Sequence, residues 1–131
     1  MRKRIAQLSW WLLPLLLWIG SEVYYAARIR PKGVRTLADH YRRFGEPRRI
    51  TSFQRGGTNF YELSGHISRA RAGGIPLLVF PSSPPAYVYD QTGALVDWCS
   101  DPGDQPSYRA RWPQTGTQPV EPATFRAQYG L

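Results

Sequence analysis

The pattern of apolar and polar positions divides the chain into three parts. Residues 5–27 are almost continuously apolar, residues 31–104 alternate between short apolar runs and turn residues, and residues 105–131 show little periodicity. Short apolar runs bounded by turns are typical of a folded domain, whereas long apolar runs form helices. We therefore expect an N-terminal anchor at 1–30, a small domain at 31–104 and an extended Pro-rich tail at 105–131.

The N-terminal apolar segment has the length of a transmembrane helix. As an α-helix it would extend about 34 Å, enough to cross a hydrocarbon core of about 30 Å. Cationic residues precede it and aromatic residues lie toward both of its ends, as at a membrane–water interface. The residues assigned to that interface are Arg2, Lys3, Arg4, Trp10, Trp11, Trp18, Tyr24 and Tyr25. The sequence thus predicts a single-pass membrane protein that contacts lipids. Because Lys and Arg flank both ends of the segment, the positive-inside rule leaves its orientation open, and we favour a domain on the periplasmic side because a basic start before an apolar run is typical of export signals.

Two other interpretations of this segment are a cleaved signal peptide and a helix buried in a soluble domain. A signal peptide needs a small residue three positions before the cut. Cleavage after Ala26 or Ala27 would place Tyr24 or Tyr25 there, so we favour a retained helix. Glu22 is costly in lipid. It either lies at the interface or makes a polar contact with another membrane subunit.

A short helix is predicted to begin at Thr36 and to end near Phe44. Thr36 is a good N-cap, and Asp39 occupies the capping-box position three residues later. Leu37, Tyr41 and Phe44 then fall on one apolar face. A glycine and a proline follow directly and stop the helix.

Strands follow this helix along the chain. Two β-prone runs surround a Gly-Gly turn, and two more surround the turn Asp90–Gly93, where we expect Gly93 to adopt a positive φ. A continuous apolar run between the hairpins is typical of a buried strand. The expected strands are 49–54, 59–63, 75–80, 86–89 and 94–98. The predicted fold is α+β, with one helix packed on a small antiparallel sheet.

The motif Phe44-Gly45-Glu46-Pro47 and the later hairpin YVYDQTGALVDW resemble the SmpA/BamE-type outer-membrane lipoprotein domain. That family shows a helix, a Gly-x-Pro stop and a closing aromatic-Asp-x-x-Gly hairpin, and the similarity covers about residues 35–101. The chain lacks the lipobox cysteine and the Gly-Met opening of that family. The resemblance implies a non-enzymatic assembly or stabilising role in the cell envelope.

The net charge of +8 is unevenly distributed: residues 1–32 carry +5 and residues 33–131 carry +3. Basic residues beside an apolar segment suit lipid headgroups, so this distribution disfavours a nucleic-acid partner. Arg42, Arg43, Arg48 and Arg49 form either a phosphate-binding group or an ordinary solvated surface, and we favour the latter.

Few residues are candidates for catalysis. His40, His66 and Cys99 are the only histidines and the only cysteine. None has the spacing of a metal site, and one cysteine forms no intramolecular disulfide. We expect no catalytic residue, cofactor or metal. The alternative is a membrane-tethered hydrolase or thiol enzyme that uses Cys99 and His66.

Carboxylates cluster in the segment DWCSDPGD, which contains Asp97, Asp101 and Asp104. Calcium binds such oxygen clusters in turns, but the spacing of an EF-hand is absent and Asp-Pro-Gly-Asp is common turn chemistry. We therefore interpret the segment as a solvated turn.

The tail contains four prolines and four spaced aromatic residues. Proline lowers the entropy lost on docking and aromatic side chains supply contact area, so the tail is expected to bind a partner as an extended arm. A disordered tail is the alternative, and a short helix near 123–129 is compatible with either. The residues assigned to partner binding are Glu22, Tyr108, Trp112, Phe125 and Tyr129.

Together these features predict a non-catalytic accessory subunit, or an assembly and stabilising factor, of a membrane-associated protein complex. Its partners would be membrane lipids and the other subunits of that complex, and it would bind no nucleic acid.

Overall fold

A computed structural model describes residues 2–65, 83–113 and 115–131, with side chains from residue 10 onward. The helices are α1 (Arg2–Ile29), α2 (Leu37–Phe44), α3 (Pro106–Arg111) and α4 (Pro122–Tyr129). The strands are β1 (Arg49–Arg55), β2 (Thr58–Ser64), β3 (Ala86–Asp90), β4 (Leu95–Cys99) and β5 (Gln118–Val120). The strand expected at 75–80 lies outside the described residues.

The five strands form one antiparallel sheet in the order β4-β3-β2-β1-β5. Ile50 pairs with Leu63 across β1 and β2, and Leu63 pairs with Tyr87 across β2 and β3. Both hairpins therefore lie where the sequence predicted them, and the α+β class is as expected. The fifth strand, β5, was not predicted.

Each face of the sheet carries its own apolar cluster. The first cluster joins α2 and α4 to one face, and the second joins α3 to the other. Successive side chains of a strand point to opposite faces. Tyr87 and Tyr89 thus enter the first cluster, while Ala86 and Val88 enter the second. Strand β3 is buried on both sides and forms the centre of the fold.

The predicted capping box of α2 is present. The Thr36 side chain accepts a hydrogen bond from the Asp39 amide at 3.3 Å, and the Asp39 carboxylate accepts one from the Thr36 amide at 3.3 Å. These bonds satisfy amides that the first turn of a helix leaves without partners. The start of α2 also bridges to the β3–β4 hairpin, because the Leu37 amide donates to the Gly93 carbonyl at 2.9 Å.

The β3–β4 turn is held by Asp90. Its carboxylate accepts hydrogen bonds from the backbone amides of Thr92 at 2.9 Å and Ala94 at 3.0 Å. Gly93 has a φ of +87°, as predicted, and is buried. A Cβ atom added to Gly93 would lie 3.3 Å from the Leu37 side chain.

The extended tail predicted for residues 105–131 is wrong. This segment folds as α3, β5 and α4, and β5 pairs with β1 through Ile50 and Val120. Pro106 and Pro122 lie in the first turns of α3 and α4, where proline is well tolerated because the lost amide has no helical partner. The last 27 residues therefore complete the sheet and its two clusters rather than forming a separate tail.

The predicted transmembrane helix also needs correction. Helix α1 is 28 residues long, but none of the helices in the described part of the chain combines that length with the hydropathy that a membrane crossing requires. The mean hydropathy of α1 is lowered by Pro14, Ser21, Glu22 and its many Trp and Tyr side chains. The transmembrane anchor at 5–27, the single-pass topology and the membrane localisation inferred from it are wrong.

Gly93→Ala is expected to destabilise the domain more than Gly56→Ala. Both glycines have positive φ, so an alanine is strained at either position by about 1–2 kcal/mol. Only Gly93 would also push its new Cβ against Leu37, because a Cβ on Gly56 has no neighbour within 4 Å. Urea unfolding of the two variants measures the difference. Equal losses would contradict the close packing of this turn on α2.

Phe125→Ala is expected to cost about 3–5 kcal/mol of unfolding free energy, because Phe125 is fully buried in the first cluster. Thr124→Ala is the neighbouring control, since Thr124 is exposed. Denaturant titration of both variants tests whether α4 belongs to the core. A Phe125→Ala protein as stable as the Thr124→Ala protein would show that it does not.

Candidate functional site

Helix α1 lies partly on the domain and partly away from it. Within residues 18–29, the positions that lose exposure recur at intervals of three and four, which places them on one side of the helix. They are Trp18, Ser21, Glu22, Tyr25 and Ile29. Tyr25 and Ile29 are buried against Phe44 of α2 and Trp98 of β4. We call residues 18–29 the docked part of α1.

The C-terminal end of α1 is fixed by hydrogen bonds from the domain. The last carbonyl groups of a helix have no partner within it and carry partial negative charge. The Tyr87 hydroxyl donates to the Ile29 carbonyl, and the Arg43 guanidinium donates to the Ala27 carbonyl at 3.3 Å and to the Lys32 carbonyl at 2.9 Å. Burial raises the pKa of Tyr87, so its hydroxyl stays protonated and able to donate. The helix is thus held at its base in a defined direction.

Residues 10–17, which we call the projecting segment, lie beyond the docked part and are all exposed. Trp11 is 80% exposed and Leu16 is 61% exposed. Consecutive residues of a helix are about 100° apart because one turn takes 3.6 residues. The run from Trp10 to Leu13 therefore presents apolar side chains around most of the helix circumference. This segment has no polar face.

The residues assigned to a membrane interface are separated by the structure. Trp10, Trp11 and Tyr24 are exposed, Trp18 is half-buried, and Tyr25 is covered by the domain. The side chains of Arg2, Lys3 and Arg4 lie outside the described part of the protein. Of the described members, Tyr25 therefore faces the domain rather than a membrane interface. The residues on the docked side of α1 have an i, i+3, i+4, i+7 spacing that is present in the sequence. Because Ser21 and Glu22 are polar, the sequence pattern did not indicate an apolar face there.

Four exposed cations surround the base of α1. Arg28 lies in its last turn, and Arg30, Lys32 and Arg35 lie in the segment that follows. Within the described residues none of these four side chains takes part in an ion pair. We call this group the basic collar. It adjoins the surface depression formed by Lys32, Gly33, Val34, Asp39, Arg42 and Arg43.

The aromatic residues predicted to contact a partner through the tail lie mostly inside the domain. Tyr108 and Trp112 belong to the second cluster and Phe125 to the first, while Tyr129 is half-buried beside Phe125. None of the first three is exposed enough to contact another molecule while the domain is folded. Glu22 lies on the docked side of α1, so it points toward the domain.

Helix α3 is held on the sheet by polar contacts as well as by aromatic packing. Buried Glu62 accepts hydrogen bonds from the Tyr108 hydroxyl at 2.7 Å and from the Arg109 guanidinium at 3.0 Å. Asp97 accepts from the Trp112 indole at 2.7 Å and from Arg111 at 3.0 Å. Burial alone would raise the pKa of Asp97, but these hydrogen bonds together hold it below its usual range. Both carboxylates therefore have structural partners.

The candidate catalytic residues are not assembled into a site by the described residues. The Cys99 thiol is buried and donates to the Gln105 side chain at 3.2 Å, and burial raises its pKa, so it stays protonated. His40 is buried among aromatic rings, with its Nδ1 atom 2.7 Å from the Tyr89 hydroxyl. His66, the proposed partner of Cys99, lies outside the described residues. Cys99 and His40 thus form no nucleophile–base pair within the described residues, and the Cys99–His66 pair stays a prediction.

Of the carboxylates in the DWCSDPGD segment, Asp101 and Asp104 lie together, and a hydrogen bond to Asp101 raises the pKa of Asp104. Asp97 faces α3, whereas Asp101 accepts hydrogen bonds from the amide and the hydroxyl of Ser83 at 3.1 and 2.5 Å. Across the described ranges, His, Cys, Asp and Glu side chains form no group of three suited to a metal ion.

Tyr87→Phe is expected to weaken the attachment of α1. The variant removes the donor to the Ile29 carbonyl, and a buried carbonyl left without a partner costs about 1–3 kcal/mol. Tyr129→Phe is the matched control, because it removes a solvent-exposed tyrosine–carbonyl hydrogen bond of 2.9 Å. Amide hydrogen exchange across residues 25–29 should accelerate only in Tyr87→Phe. Unchanged protection there would contradict the role of this bond.

Comparison of the chain with protein-family models, with curated proteins and with solved structures found no match in any of the three.

Proposed function

We propose that the chain is a non-catalytic accessory subunit that inserts the projecting segment of α1 into an apolar site on a partner protein. The domain acts as a holder that fixes the direction of the helix. The observation that carries this proposal is the contrast within α1: residues 10–17 are apolar and exposed on all sides, while Tyr25 and Ile29 are buried against the domain.

The energetic argument rests on how much apolar surface the helix leaves exposed. Contiguous apolar patches larger than a few hundred Å² are rare on isolated proteins and mark interaction sites. Burying one large apolar side chain stabilises a complex by about 1.5–3 kcal/mol. The projecting segment offers several such side chains on one short stretch of helix, namely Trp10, Trp11 and its leucines. A binding site for them would gain a large driving force.

The distribution of these side chains defines the shape of the partner site. A helix with one apolar stripe packs on a single surface, whereas a helix that is apolar all round is stable only when it is enclosed. We therefore expect several elements of the partner, such as neighbouring helices, to surround residues 10–17. Docking at one face alone would leave about half of these side chains in water.

Fixing the helix before binding favours such a complex. A helix that is ordered only on binding loses conformational entropy at that step, which weakens the affinity. The hydrogen bonds from Tyr87 and Arg43 and the packing of Tyr25 hold the base of α1 in the free protein. This preorganisation supports a role in assembly rather than in catalysis. The assembly role implied by the resemblance over residues 35–101 belongs to the same class and remains a prediction.

A photo-crosslinking amino acid at position 16, introduced into the full chain in its own cells, is expected to form a covalent adduct with a partner protein. The same amino acid at position 96 is the control, because Val96 is an exposed large apolar residue on the sheet, at 44% exposure. Mass spectrometry identifies the adducts. A partner protein captured from position 16 and not from position 96 is the expected result.

Three outcomes would contradict the proposal: no adduct at position 16, an adduct only with phospholipid, or the same adducts from both positions. Substitution adds a second test within the same cells. Leu12→Ser in the projecting segment should reduce recovery of the adduct formed at position 16, whereas Val96→Ser, a comparable apolar-to-polar change on β4, should leave it unchanged.

A further inference from the structure

The positive charge of the protein is concentrated around the base of α1. Residues 28–49 contain eight Arg or Lys and only two carboxylates, whereas residues 50–131 contain six Arg and six Asp or Glu and are neutral overall. The projecting segment contains no charged residue. The apolar segment and the cationic base thus belong to the same helix, about 16 Å apart at a rise of about 1.5 Å per residue.

The two carboxylates in this region are already engaged in the fold. Asp39 accepts hydrogen bonds from the amides of Arg35 and Thr36 and caps α2. Glu46 lies 3.7 Å from the Arg126 guanidinium on α4. Neither carboxylate pairs with Arg28, Arg30 or Lys32, so the charge of the basic collar is not neutralised within the described part of the chain.

We infer that the basic collar binds a carboxylate-rich rim at the mouth of the partner's apolar site. This inference rests on the proposed function and adds the chemistry of the partner surface. The guanidinium group presents a planar set of donors that matches a carboxylate with two parallel hydrogen bonds, and three of the four collar residues are arginines. The apolar segment supplies affinity, and the collar fixes the depth to which the helix enters.

A second copy of this chain fits the charges poorly. In a parallel pair of α1 helices the two collars would lie side by side, and cations at close range repel one another. In an antiparallel pair each collar would approach Arg2, Lys3 and Arg4 at the start of the other helix. Both arrangements bring like charges together, which favours a different partner with the opposite charge.

A photo-crosslinking amino acid at position 30 tests this inference in the full chain. The adduct is expected to map to a segment of the partner rich in Asp and Glu, in the same protein captured from position 16. An adduct with another copy of the chain or with phospholipid, or no adduct, would overturn the inference. If position 16 still captures a partner in that case, the proposed function stands and only the collar's role is wrong.

Charge variants provide the second test. The triple change Arg28→Gln, Arg30→Gln and Lys32→Gln should reduce the yield of the adduct formed at position 16 by about fivefold or more, because charged rims steer association. The matched control Arg28→Lys, Arg30→Lys and Lys32→Arg keeps every charge and should lose less of the yield than the Gln variant, because the charge is retained although the paired hydrogen bonds of two guanidinium groups are lost. These side chains are exposed, so the thermal midpoint should be unchanged in both variants. An unchanged yield in the Gln variant would refute a role for the collar.

Discussion

Strand β3 requires apolar cover on both faces of the sheet, and the rest of the domain is arranged to provide it. Its residues from Ala86 to Tyr89 are all fully buried. Helices α2 and α4 cover the face that carries Tyr87 and Tyr89, and α3 covers the face that carries Ala86 and Val88. A small domain has little interior, so losing any one of these helices would expose a large share of it.

The same constraint connects the core to the candidate interaction site. The ring of Tyr87 belongs to the first cluster, and its hydroxyl donates a hydrogen bond to the last carbonyl group of α1. Phe44 stacks on the Tyr87 ring, with 4.9 Å between the ring centroids, and also contacts the docked part of α1. The packing that stabilises the centre of the sheet therefore also determines where the helix points.

Local signals in the sequence determined how much of this structure could be predicted. The capping box at Thr36 and Asp39 and the turn at Asp90–Gly93 are complete within a few residues, and both were predicted correctly. The two hairpins followed from the same kind of signal. The structure of the last 27 residues depends on contacts between residues distant in sequence, such as Ile50 with Val120 and Tyr61 with Phe125. Spacing of prolines and aromatic residues does not reveal whether the surface they contact belongs to the same chain.

Helix α1 was misjudged for a related reason. Its apolar composition is visible in the sequence, but the side that packs on the domain includes Ser21 and Glu22 and resembles a break in the pattern. The Ser21 hydroxyl is satisfied within the helix by the Trp18 carbonyl at 2.8 Å, which allows a polar residue at a half-buried position. The basic collar was visible as charge beside the apolar run. Only the structure showed that the collar side chains form no ion pair within the described residues.

The order of the elements along the chain has a consequence for synthesis. The apolar helix is made before β5 and Phe125, which complete the sheet and the first cluster. At about 5–20 residues per second, the ribosome needs several seconds to add the intervening chain. Throughout that interval α1 has no folded domain to dock on, and its leucines and tryptophans face the surroundings without orientation. The nascent chain is therefore most prone to aggregation before its own fold can direct the helix to a partner.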